Sequence, residues 1–149
     1  MKAVFLDIDG VVCIRGGSTL DPDCLQNVAD LIRLTDAELV ISSTWRLIPP
    51  SMRLLHDAFD ALGIKIFRAT KHLPKFSRAA EIMRFVEPWK RQGMTHWAII
   101  DDDDVRRGRL EDGNVALGEP DITKHFVQTD RHKGFDGQAL VRSLLLLNK

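Results

Sequence analysis

The sequence predicts an α/β fold: a doubly wound, Rossmann-like parallel sheet of about five strands with helices on both faces. Two observations carry this. Five short apolar runs, AVFL (3–6), ELVIS (38–42), IKIF (64–67), HWAII (96–100) and HFVQT (125–129), are rich in Val, Ile and Phe, as strands covered on both faces are. Stretches of helical length and period separate the runs, so strand and helix alternate along the chain.

Each helix has its own local signal. In DPDCLQNVADLIRL (21–34), Leu25, Val28, Ala29, Leu31 and Ile32 fall on one helical face, with Asp21 as cap and Pro22 at the first helical position. PPSMRLLHDAFDALG (49–63) opens on a proline pair and stops at Gly63. SRAAEIMRFVEPWKRQG (77–93) starts from Ser77 as cap and turns Ala80, Ile82, Met83 and Val86 inward, and Pro88 is expected to kink it or end it early. DGQALVRSLLLLNK (136–149) closes the chain as an amphipathic helix. The stretch 105–124 has little periodicity and reads as a long loop, made locally basic by Arg106, Arg107 and Arg109.

At 149 residues the chain accommodates one domain, 1–149, with a real core. Basic and acidic residues balance at 21 each, which excludes a global basic field for nonspecific nucleic-acid binding and leaves room only for a local basic groove. Cys13 and Cys24 form no CxxC or framework spacing and suit reduced thiols. Met1 leads straight into the first strand without a leader, and no apolar run approaches the roughly 18 residues of a membrane span. The expectation is a cytoplasmic protein with no membrane partner. The five histidines show no zinc spacing, and Trp45, Trp89 and Trp97 read as packing residues.

In an open α/β sheet, ligands bind beyond the carboxyl ends of the strands, so the residues just after each run are the informative ones. After the first come Asp7 and Asp9, which extended chain points to the same side; such a pair repels by about 1 kcal/mol in water and by more in a cleft. After the second come Ser42, Ser43 and Thr44, then Trp45 and Arg46, and after the fourth come Asp101, Asp102, Asp103 and Asp104. Two acidic clusters on one sheet edge call for a hard divalent cation, Mg²⁺ above all, and hydroxyls beside them suit phosphate oxygens. Arg46 is placed either to meet substrate or to pair with the acidic crevice.

These motifs resemble those of the haloacid dehalogenase-like (HAD) superfamily of aspartate-nucleophile phosphohydrolases, along nearly the whole chain. DIDGVV resembles its first signature, which implies Asp7 as nucleophile and Asp9 as general acid and base, with the Asp9 backbone carbonyl a metal ligand. ISSTWR resembles the second, which implies phosphate binding by Ser42 and Ser43. IIDDDD resembles the fourth, an acidic pair completing the metal site with Asp7; Asp101 and then Asp102 stand nearest the strand end. The third signature is a basic residue near a helix start, here Arg78 or Lys75. SSTWR, RAAEI and VQTD with GFDGQAL are similar to the small HAD domain found in Swiss Army Knife RNA repair proteins.

The resemblance implies a Mg²⁺-dependent phosphatase that passes through an aspartyl-phosphate. The links after the first two strands are too short for a separate cap domain, and an uncapped site implies a nucleic-acid terminal phosphate or a nucleotide as substrate. The alternative is a catalytically idle HAD-like or receiver-like phosphate-binding module. A receiver carries its acceptor aspartate after the third strand, where this chain reads IKIFRAT.

Overall fold

In the computed structural model, which describes residues 1–14, 19–107 and 122–149, five strands form one all-parallel sheet. They are β1 (Lys2–Leu6), β2 (Glu38–Ile41), β3 (Ile66–Ala69), β4 (His96–Asp101) and β5 (Phe126–Gln128), in the order β3-β2-β1-β4-β5. The four long helices among the described residues are α1 (Pro22–Thr35), α2 (Pro49–Ala61), α3 (Arg78–Arg91) and α4 (Gly137–Leu147). The order reverses between β1 and β4, so the switch point of the sheet lies at the carboxyl ends of those two strands.

Alternation along β1 divides the core in two. Val4, Leu6 and Ile8 pack with α1, α2 and α4, whereas Ala3 and Phe5 pack with α3. The helices therefore cover both faces, α3 alone of these four on the second. Phe5, Leu6, Ile99 and Ile100 are fully buried, each contributing about 1.5–3 kcal/mol. Asp21, Ser77 and Asp136 accept the N–H groups of Cys24, Ala80 and Ala139, capping α1, α3 and α4. No separate cap domain stands among the described residues, and no helix there is long and apolar enough to cross a membrane.

Most strand limits shift by a residue or two from the sequence runs, and two departures have a clear physical cause. The third strand begins at Ile66 rather than Ile64, because the Ile64 N–H is drawn back to the Phe59 carbonyl at the end of α2. Pro88 does not end α3, which continues to Arg91. The proline removes a bond to the Arg84 carbonyl, but both residues face solvent, so water can take its place. Beyond it, Trp89 packs against Phe67 and Phe85, which holds the last turn.

Candidate active site

The sheet ladder runs one residue past the strands. The Asp7 N–H donates to the Ile100 carbonyl, that of Ser42 to Leu6, and that of Thr70 to Ile41, each at 3.0 Å. Since Leu6 pairs with both Ile41 and Ile100, and Ile41 with Ala69, the next residues form a row across the edge: Thr70, Ser42, Asp7, Asp101. Phe5, Val40 and Ile99, two positions earlier, face α3, so the row faces α3 as well.

Arg78 opens α3 directly over this row. Its Nη1 lies 2.8 Å from Asp101 Oδ2 and 3.1 Å from Asp7 Oδ1. Asp102 completes the group from the next position: one oxygen each from Asp7, Asp101 and Asp102 lie within 4.8 Å of one another. Three carboxylates against one guanidinium leave two negative charges when all are ionised. Burial, then the charge of Asp101, push the Asp7 carboxyl up to about 8 despite the pull of Arg78. Burial raises Asp102 too. Desolvation opposes the charge on Arg78, but Asp7 and Asp101 outweigh it and raise its pKa. A hard divalent cation fits this donor set in charge and in ligand chemistry.

The other acidic residues stand apart from that triad. Asp103 gives its N–H to Asp101 Oδ1, and Asp104 takes a two-pronged contact from Arg106 at 2.8 and 2.9 Å. Arg106 thus spends its guanidinium on Asp104 and lies over the Phe126 ring. Arg109 and the Arg107 side chain lie outside the described residues. The Asp9 carboxylate is exposed and turned toward Trp45, whose indole N–H reaches both its oxygens at 3.3 Å. Among the described residues, no backbone N–H donates to the Asp9 carbonyl.

Gly10 makes the turn behind Asp9 possible on two counts. Its φ is +77°, and a Cβ there would stand 2.3 Å from Asp102 Oδ2. The Thr129 hydroxyl donates to the Gly10 carbonyl at 2.8 Å and pins this turn.

Of the phosphate-binding candidates, Ser42 is buried with its hydroxyl unpartnered, while Ser43 accepts the Trp45 N–H and caps a short turn, Thr44–Leu47. The structure brings Arg78 to the carboxylates; Lys75 is exposed and in no ion pair among the described residues. Arg46 makes its ion pair away from the acidic crevice. Its side chain is buried, donates to the carbonyls of Thr70, Ser42 and Ser43, and pairs with Glu81 at 3.0 Å. Glu81 also accepts the Leu73 N–H. The clamp fixes the backbone beneath Ser42 and Thr70.

Sequence reasoning passed over Thr70, whose hydroxyl is buried without a partner like that of Ser42. Its place just after the third strand was the available signal. Glu81 and Thr129 fall inside RAAEI and VQTD, but their bonding roles had no local signal, because their partners are 35 and 119 residues away.

The family model for the HAD domain in Swiss Army Knife RNA repair proteins matches residues 3–140. No curated protein and no solved structure matches the chain.

Proposed function

The chain belongs to the family of HAD domains of Swiss Army Knife RNA repair proteins, and from that premise we propose that it is a Mg²⁺-dependent phosphatase, a single domain over 1–149, acting through an aspartyl-phosphate on a phosphate monoester. The observation that carries the reading is the convergence of Asp7, Asp101, Asp102 and Arg78 at the switch point of the sheet. The terminal phosphate of a nucleic acid, or a nucleotide, is the substrate class that the family supports. A receiver-like role has less behind it: the residue after β3 is Thr70, not an aspartate, and the strand order differs from the 2-1-3-4-5 of receiver folds.

In this reading an Asp7 carboxylate oxygen attacks phosphorus as the ester P–O bond opposite breaks, and the leaving oxygen takes a proton from Asp9. Asp9 then accepts a proton from water, which attacks the phosphorus and releases phosphate and free Asp7. Trp45 holds Asp9 at the mouth of the site. Arg78 and the hydroxyls of Ser42 and Ser43 receive the equatorial oxygens, where charge grows in the transition state; Lys75 is left to the rim. Asp7, Asp101, Asp102 and the Asp9 carbonyl would hold Mg²⁺, whose chemistry is to offset charge between nucleophile and phosphate.

The test is phosphate release from p-nitrophenyl phosphate with and without Mg²⁺, beside Asp7→Asn, and mass spectrometry of rapidly quenched enzyme for a phosphoryl group on Asp7. Metal-dependent turnover lost in the variant is expected. Turnover that survives in Asp7→Asn at more than a few per cent would overturn the covalent role.

A further inference from the structure

An uncapped site has to hold its substrate from one side, and the reaction dictates which side. Attacking and leaving oxygens lie roughly in line through phosphorus. With Asp7 beneath the phosphoryl group, everything beyond the leaving oxygen extends past Asp9, the residue that must protonate it. Whatever borders the turn behind Asp9 therefore borders the rest of the substrate.

Among the described residues, Trp45 borders Asp9 on its own side, and the turn after β5, residues 130–134, borders the Gly10–Val11 turn behind it. It is built onto the catalytic turn by direct bonds: Thr129 Oγ1 to the Gly10 carbonyl at 2.8 Å, and the Phe135 N–H to the Val11 carbonyl at 2.7 Å. Gly134, at φ +66°, lies so close that a Cβ would stand 2.6 Å from the same Val11 carbonyl. Arg131 is two steps along the chain from Thr129, a span of at most about 7 Å.

The turn carries three consecutive basic side chains, Arg131, His132 and Lys133, all exposed. None forms an ion pair among the described residues. The nearest carboxylate in sequence, Asp130, accepts the His132 N–H at 2.8 Å and forms no ion pair with these side chains. This differs from the arginines nearer the site: Arg46 is held by Glu81, Arg78 by Asp7 and Asp101, Arg106 by Asp104. Beside the turn, Lys133 and Arg142 line an open depression of about 750 Å³ with Asp136, Gly137, Gln138 and Val141. Arg131, Lys133 and Arg142 outnumber the two carboxylates beside them, Asp130 and Asp136, so this surface keeps a net positive charge.

We propose that this turn is the docking surface for the leaving strand of a nucleic acid, Arg131 and Lys133 each taking one internal phosphate next to the terminal phosphate held over Asp7. The proposal rests on the phosphatase reading above and adds to it a binding surface and a polymeric substrate.

The test compares kcat/KM for p-nitrophenyl phosphate, a mononucleotide and a terminally phosphorylated single-stranded oligonucleotide, in wild type and in Arg131→Ala/Lys133→Ala. Two phosphate contacts predict a salt slope of about −1.4, or roughly a sevenfold fall between 50 and 200 mM salt, for the oligonucleotide alone. The double variant is expected to flatten that slope and leave the aryl phosphate unchanged. Equal kcat/KM for mononucleotide and oligonucleotide in wild type at low salt overturns the proposal. So does an oligonucleotide advantage that survives the double variant, or that Lys71→Ala/Lys75→Ala removes instead. Should no substrate turn over, the phosphatase reading fails by itself. Fluorescence anisotropy of a labelled oligonucleotide then decides the surface: equal affinity for Asp7→Asn with and without the double substitution overturns it, and weakened affinity supports it.

Discussion

Replacing Asp7 by asparagine is expected to stabilise the metal-free protein while removing its turnover. The Asp7 carboxyl is buried and its pKa is raised from 3.8 to about 8, burial and the neighbouring Asp101 charge being the causes. A group raised in the folded state contributes stability that is intact below its unfolded pKa and lost as pH climbs through the folded one. The wild type should therefore lose stability between about pH 4 and pH 8, and the neutral isostere, in which only Asp102 is still raised, should lose less. One pH unit of this kind corresponds to about 1.36 kcal/mol, so at pH 7 the difference is about 4 kcal/mol, and on the order of 10 °C in Tm for a chain of this size. Asparagine leaves Arg78 its 2.8 Å contact with Asp101, so the guanidinium is not stranded. The assay is thermal unfolding of both proteins in a chelator at pH 4, 6 and 8. A difference that stays flat with pH, or a variant less stable than wild type at pH 8, would refute the reasoning. Millimolar Mg²⁺ should narrow the gap by stabilising the wild type, by about 2.7 kcal/mol at a hundredfold excess over Kd.

Three further outcomes are expected. Ser42→Ala removes a buried hydroxyl that has no partner, so Tm should hold or rise while kcat/KM falls about tenfold; a drop in Tm with unchanged activity would mean that the hydroxyl serves the fold. Glu81→Gln leaves the buried Arg46 charge uncompensated and should cost about 3–5 kcal/mol in urea unfolding, a loss under 1 kcal/mol arguing against the clamp. Trp45→Phe keeps the ring and deletes the N–H on Asp9, so kcat should fall more for an alkyl phosphate, which needs its leaving group protonated, than for p-nitrophenyl phosphate. Equal losses on the two substrates would detach Trp45 from the acid step.

The carboxylates were legible in the sequence because a charge directly behind a buried strand is conspicuous whatever the tertiary structure. Asp7, Asp101 and Asp102 meet as that reasoning required, and the alternation of strands and helices was visible for the same reason of local pattern. What stayed hidden depends on distant partners. Arg46 reads as a partner for substrate or for the acidic crevice until Glu81, 35 residues on, and the Thr70 carbonyl close around it. The apolar run 64–67 looked like a complete strand, yet the end of α2 claims Ile64, and pairing with β2 admits the polar Arg68 instead. A local rule sees only the intrinsic cost of Pro88, and the aromatic packing of Trp89 lies outside it.

The bond between the Thr129 hydroxyl and the Gly10 carbonyl joins positions 119 residues apart and has a consequence for how the site assembles. Every carboxylate of the triad is in place in the sequence by residue 102, but the turn that aims Asp9 is finished only when β5 has paired and the segment behind it has come back against Val11. A chain cut before Thr129 would carry all the acids and lack the brace on their turn. Activity during refolding should then appear with the last native contacts rather than with the first, lagging behind burial of the β1–β2–β4 core, because contacts so distant in sequence carry the largest closure entropy.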